Sequence, residues 1–249
     1  RALAKMAEPG THSIFKAGQC LRILSIGHCT RDTVLRELPV ARILVACEFS
    51  GIVRDAFLSH GHDAWSCDLL PSERPGPHME GDVRLFLGGE WDMLIAFPPC
   101  TYLANSGARW WAQRQQEQTD ALAFVRMLLQ APIPCIALEN PEGRIGSAIR
   151  HHDQLIHPWE YGECAEKKTC LWLKNLPLLQ PTALAWPRPQ TCWRMGQSKR
   201  RTQDRSRTYP GIARAMAEQW GTIPRSGDTR RDSRSLNTTG KEWMRFREN

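Results

Sequence analysis

Trp91-Asp92-Met93-Leu94-Ile95-Ala96-Phe97-Pro98-Pro99-Cys100-Thr101-Tyr102-Leu103 is the stretch on which the fold turns. Met93 to Phe97 is continuously apolar rather than alternating, which predicts a strand covered on both faces in a parallel sheet. Neither Pro98 nor Pro99 can donate a backbone hydrogen bond to a neighbouring strand. The chain must therefore leave the sheet there and carry Cys100 beyond the strand end. Open α/β sheets bind ligands in that crevice. Most cysteines are small buried apolar residues, but this one is followed by Thr101, Tyr102, Asn105, Ser106 and Gly107, which predicts a polar, mobile loop instead of a core.

Upstream, Ile43 to Cys47 reads as a buried strand, followed by Glu48-Phe49-Ser50-Gly51 and a helix to about Ser59. A second strand, Ala64 to Cys67, closes on Asp68. The Pro/Gly-rich run to Pro77 predicts a loop, and Gly81-Asp82-Val83 a turn into the Cys100 strand. Thr119 to Gln130 has helical spacing of Leu122, Val125, Leu128 and Leu129, and Pro134 to Leu138 is the next strand, stopping on Glu139-Asn140-Pro141. Regular alternation of strands and helices predicts an α/β fold, a doubly wound, mostly parallel sheet. Four strands then end on chemistry-bearing residues along one edge: Glu48 and Phe49, Asp68, Cys100, and Glu139 with Asn140. Any one terminal acid can be a helix cap; together they resemble a site.

The 249 residues suffice for one principal domain with a small appendage. No apolar run is long enough for a transmembrane helix, and the first residues lack a secretory pattern, so a cytoplasmic protein is expected. Nine cysteines, an odd number without paired spacing, argue against a disulfide framework and against a zinc ribbon. The net charge of +7 is unevenly spread. Residues 188 to 207 carry Arg188, Arg194, Lys199, Arg200, Arg201, Arg205 and Arg207 against Asp204 alone, whereas residues 1 to 187 hold 18 basic and 20 acidic side chains. A basic stripe beside a near-neutral body is either a solvated charge run or the footprint of a polyanion, most simply nucleic acid.

From about Arg42 to Gly221 these residues resemble the DNA cytosine-C5 methyltransferases, most closely the compact members found in phages. Glu48-Phe49-Ser50-Gly51 is similar to the family's first motif, Phe97-Pro98-Pro99-Cys100 to its proline-cysteine nucleophile motif, and Glu139-Asn140-Pro141 to its Glu-Asn-Val motif. Tyr161-Gly162, Lys167-Lys168-Thr169 and the Gly211 to Ala217 segment fall where later motifs stand. The chain departs from the pattern in having Ile52-Val53-Arg54 in place of further glycines, and Lys167 and Thr169 at arginine positions. The resemblance implies a Rossmann-like fold using S-adenosylmethionine, held by Glu48, Phe49, Ser50, Gly51, Asp68, Leu69, Asp82, Val83, Phe97 and Pro98. Phe49 would stack on the adenine, Asp68 bind the ribose hydroxyls and Asp82 take the adenine amino group. The catalytic set it implies is Cys100, Glu139, Asn140, Pro99 and Lys167.

The chemistry agrees with that set. C5 of cytosine is a poor nucleophile until a soft nucleophile attacks C6, and Cys100 is the candidate. Attack is easier when N3 gains a proton, which Glu139 at the end of the adjacent strand can supply. C6 is hidden in a stacked duplex, so the base must be flipped out, with the Thr101 to Arg114 loop closing over it. Double-stranded DNA is the expected partner of a monomer that needs neither membrane nor metal. Contacts are expected from Ser106, Arg109, Lys168, Arg188, Arg194, Lys199, Arg200, Arg201 and Arg205. The expected organisation is a loosely ordered extension over 1–41, with a short strand at Leu21 to Ile26 and a short helix at Arg31 to Leu38. A catalytic domain over 42–174 and 208–222 comes next, with a very small basic target-recognition insertion over 175–207, edged by Trp172, and a disordered basic tail over 223–249. Three alternatives stay open: an amino-methyltransferase, an RNA cytosine methyltransferase, and a degenerate DNA-binding protein on the same fold.

Overall fold

The computed structural model describes residues 40–187 and 201–222, with side chains from 203 onward in the second segment. The expected extension up to residue 39, the tail after 222, and Arg188, Arg194, Lys199 and Arg200 lie outside the described residues. Of Arg201 only the backbone is described.

Seven strands, β1 (Arg42–Ala46), β2 (Asp63–Asp68), β3 (His78–Glu80), β4 (Met93–Ala96), β5 (Cys135–Asn140), β6 (Gln154–Ile156) and β7 (Thr169–Lys174), form one sheet in the order β3-β2-β1-β4-β5-β7-β6. β3 through β5 in that order run parallel, and β7 is inserted antiparallel between β5 and β6. The sheet is doubly wound, mostly parallel and Rossmann-like. Among the described residues the α-helices are α1 (Ile52–Ser59), α2 (Gln115–Leu129), α3 (Arg144–Ala148), α4 (Arg201–Ser206) and α5 (Pro210–Trp220). None of the helices among the described residues is long and apolar enough to cross a membrane.

Strand residues alternate between two cores. Ile43, Val45, Met93 and Ile95 join Val53 and Phe57 of α1 and Ile212, Met216 and Trp220 of α5 on one face. Leu44, Ala46, Leu94, Ala96, Ile136 and Leu138 join Leu122, Val125 and Leu128 of α2 on the other. Both faces of the central strands are thus dry, which is why their sequences are uninterrupted apolar runs. Each fully buried Leu, Ile or Val stabilises the fold by about 1.5–3 kcal/mol.

Arg54, on α1, has no exposed surface at all. Its five N–H groups are all used: Nε on Asp55 Oδ1 at 2.9 Å, Nη1 on Ser66 Oγ at 3.1 Å and Ser72 Oγ at 3.0 Å, Nη2 on the Arg74 and Pro75 carbonyls at 3.2 and 3.0 Å. A buried guanidinium persists only with such complete pairing. Gly51 and Gly76 make room for it. A Cβ at 51 would lie 2.5 Å from Nη2 and one at 76 would lie 2.8 Å from the guanidinium carbon. This arginine is therefore the post around which the 69–77 loop is built.

Several sequence expectations change. The loop after Asp68 runs to Pro77 as expected, but the strand that follows it, β3, was not foreseen; it pairs with β2 from Ser66↔His78 to Asp68↔Glu80. β6 and β7 were not expected. β7 borders β5, and Trp172 on it is 1% exposed with its indole N–H on the Arg150 carbonyl, so it is a core residue. α2 begins at Gln115, four residues early. The stretch after Cys100 is not an open loop but carries a 3-10 helix, Asn105–Gln113.

Candidate active site

Because β1, β2, β4 and β5 are parallel and in register, their C-terminal ends share one edge, and the strand order reverses between β1 and β4. A crevice at such a reversal is where open α/β sheets hold ligands. The ends delivered there are Cys47 to Ser50, Asp68, Phe97 to Cys100, and Glu139 with Asn140.

Pro98 is buried, while Pro99 and Cys100 emerge to the surface. Asn140, 1% exposed, donates from Nδ2 to the Pro98 carbonyl at 2.8 Å, tying the end of β5 to the residues before the thiol. The Cys100 carbonyl accepts from Leu103 N at 3.0 Å and Ala104 N at 2.9 Å, so Cys100 opens a tight turn. Although the residue reaches the surface, the protein packed around its sulfur raises the thiol above its ordinary value, the Glu139 carboxylate adds to this, and Lys167 and Arg205 oppose it. Burial likewise holds the Glu139 carboxyl above the usual carboxylate range, against the pull of Lys167. Lys167 Nζ lies 3.9 Å from Glu139 Oε1 and donates to the Arg205 carbonyl at 3.2 Å. Cys100, Glu139, Asn140 and Lys167 therefore meet. A soft nucleophile stands beside a carboxyl group biased toward holding its proton.

On the cofactor side, Glu48 is 4% exposed. Its Oε1 accepts from Ser50 Oγ and from Ile52 N at 2.8 Å, and Oε2 is buried with no hydrogen-bond partner among the described residues. Phe49 is buried, its carbonyl accepts from Glu73 N at 2.8 Å, and the Arg207 guanidinium lies 5.7 Å over its ring. Arg207 is paired with Glu73 and Asp204. Asp68 accepts from Leu70 N at 2.9 Å, and burial raises its carboxyl. Asp82 caps the 3-10 turn Val83–Leu85 and is chelated by Arg84, whose hydrogen bond lowers its carboxyl. Val83 and Phe97 are core residues, and Leu69 is exposed. Gly51 has φ +72°, and the space its missing side chain leaves is filled by Arg54, not open to a ligand.

The Cys47 thiol is pushed up to about 12 by burial, then by Asp68, Cys67 and Asp82. Carboxylates at the strand ends and the orphaned Glu48 oxygen fit a sulfonium-bearing adenosine cofactor.

Of the expected DNA contacts, Ser106 and Arg109 are exposed on the 3-10 helix, with Arg109 lying 5.2 Å over the Trp110 ring. Lys168 pairs with Glu142 at 3.3 Å. Arg205 sits close enough to Cys100 to act on its thiol. Residues 175–187 pack on the body through Leu179, whose carbonyl accepts from Tyr161 Oη at 3.1 Å. Sequence reasoning missed Arg54, Gln118, Arg144 and the role of Arg207, since polar residues on helices and loops carry no signal of burial by themselves.

No family model and no curated protein matches this chain. Among solved structures, the chain is similar to a DNMT2 variant from Spodoptera frugiperda at 14% identity and a TM-score of 0.38, over 60% of this chain and 56% of that one. The chain thus spans little more than half the length of that neighbour, and its functional reading rests on the geometry of the site.

Proposed function

We propose that this chain is an S-adenosylmethionine-dependent methyltransferase that methylates C5 of a cytosine flipped out of duplex DNA. The observation that supports it most is the juxtaposition of Cys100 and Glu139 at the ends of neighbouring parallel strands, with Asn140 bonded to the Pro98 carbonyl and Lys167 against Glu139. In this reading the Cys100 thiolate forms a bond to C6, and the C5=C6 electron pair makes C5 nucleophilic. Glu139 places its proton on N3 as charge develops there. Lys167 holds the carboxyl in place and keeps its proton transferable. Bound S-adenosylmethionine supplies an electrophilic methyl group. Glu139 takes back the N3 proton as C5 bonds to the methyl group, and loss of the C5 proton to a base then expels Cys100 as thiolate and restores the ring. Glu48, Phe49, Asp68 and Asp82 would hold the cofactor, with Phe49 offering its ring and Asp68 its free acceptor capacity to the ribose.

Duplex DNA is supported by the basic segment 188–207, and so small a recognition surface implies a site of about two to four base pairs. The test is covalent trapping on a duplex containing 5-fluorocytosine, where fluorine at C5 blocks the final elimination. Wild-type protein with S-adenosylmethionine is expected to give a denaturant-resistant adduct, and Cys100→Ala none, while still binding the cofactor. Methylation without an adduct would mean amino-group transfer; an adduct on RNA alone would move the substrate to RNA; neither product would leave only DNA binding.

A further inference from the structure

The turn that begins at Cys100 is fastened on two sides. From the β5 side, Asn105 N donates to the Glu142 carbonyl at 3.0 Å and Arg144 N to the Leu103 carbonyl at 2.8 Å, with Ala104 and Gly143 forming an antiparallel bridge. The two backbones approach so closely that a Cβ at 143 would lie 1.9 Å from the Leu103 oxygen. From the α2 side Gln118 reaches it. Gln118 is 9% exposed, donates from Nε2 to the Tyr102 carbonyl at 3.0 Å, and accepts from Arg144 Nε at 3.2 Å. The same Arg144 lies 5.6 Å over Trp111, and Arg114 lies 5.7 Å over Tyr102. One buried amide thus joins the Cys100 turn, α2 and the loop that continues from Glu139.

We propose that Gln118 is a positioning residue that fastens the Cys100 turn and holds the thiol in register with Glu139. The proposal rests on the reading of Cys100 as the nucleophile for what that register serves. Tyr102, Leu103, Ala104 and Asn105 are each bonded, so the part of the stretch left to move over a flipped base is the exposed 3-10 helix from Ser106 onward. Cys100 itself stays fixed to the sheet.

The test compares wild type with Gln118→Ala and Gln118→Glu. The glutamate variant keeps the shape and still accepts from Arg144, but cannot donate to Tyr102, and it carries the test if the alanine variant does not fold. Both variants are expected to form the 5-fluorocytosine adduct about tenfold or more slowly, as a nucleophile displaced by a fraction of an ångström would, with affinities for S-adenosylmethionine and duplex unchanged. A purely structural residue would lower binding and trapping together. A second readout is the pH midpoint of Cys100 alkylation by iodoacetamide in the free protein. The charged groups acting on this thiol are Glu139, which raises it, and Lys167 and Arg205, which lower it. Burial and Glu139 outweigh the two cations, so releasing the turn is expected to lower the midpoint in both variants. If wild type gives no adduct yet the midpoint falls in the variants, the fastening stands and the cytosine reading fails. If wild type traps and both variants trap at the same rate with the same midpoint, Gln118 has no positioning role.

Discussion

Glu48 shows how a single side chain reports on the pocket around it. Burial raises its carboxyl above the ordinary value, although Ser50, the Ile52 and Val53 amides and Arg54 all pull the other way. A folded-state value above the unfolded one means that the contribution of protonated Glu48 to stability is complete below the unfolded value and is lost as pH rises through the folded one. Glu48→Gln keeps an acceptor for Ser50 and Ile52 but has no charge to desolvate. Its melting temperature is therefore expected to gain on that of wild type as pH is raised from about 4 to about 8; parallel melting curves would show that Glu48 is not strained by burial. The residues that carry the proposed chemistry were legible because each ends a strand with its own motif. Arg54 and Gln118 were not. Their partners lie 12 to 21 residues away for Ser66, Ser72, Arg74 and Pro75, and 16 and 26 away for Tyr102 and Arg144.

At the scale of elements, α5 closes the face of the sheet that α1 begins. Ile212, Ala213, Ala215, Met216, Ala217 and Trp220 are all buried, and the Trp220 indole N–H donates to the Pro177 carbonyl at 3.0 Å. This places α5 inside the same core as β1. Trp220→Ala is expected to reduce unfolding free energy by about 3–5 kcal/mol, measurable by urea titration; a loss below about 1 kcal/mol, the scale of a surface change, would mean that α5 is not part of that core. Helical spacing made α2 readable, whereas the Gly211 to Ala217 segment of α5 was placed only by its resemblance to a family motif. β3 and β6 were not readable, since each is only three residues long and short strands lack enough period to register. β7 carries the apolar run Cys170–Leu173, but such a run fits a strand or a helix equally, and its antiparallel place beside β5 depends on which partner edge is free.

Across the whole molecule the charge is divided between a nearly neutral body and the basic segment 188–207. Phosphate contacts from Lys199, Arg200 and Arg201 would each release counterions, so replacing all three by Gln is expected to weaken binding to every duplex alike. The slope of log K against log salt should shrink by roughly 0.9 for each phosphate no longer neutralised, while the methylated sequence stays the same. Superimposable slopes for wild type and triple variant would reduce this segment to solvated surface charge.

What the sequence by itself determined is the sheet edge. Short strand-like runs that stop on Glu48, Asp68, Cys100 and Glu139, alternating with helical spacing, fit parallel strands, and parallel strands send their C-terminal residues to one side. Tertiary structure alone decided how that edge is held. The burial of Arg54 against the 69–77 loop, the seating of Gln118 between Tyr102 and Arg144, and the placing of Arg207 over Phe49 all join segments far apart in the chain. A polar side chain shows no periodicity that tells whether its partner is water or protein, because that depends on backbone carbonyls and carboxylates which only the folded chain brings within reach.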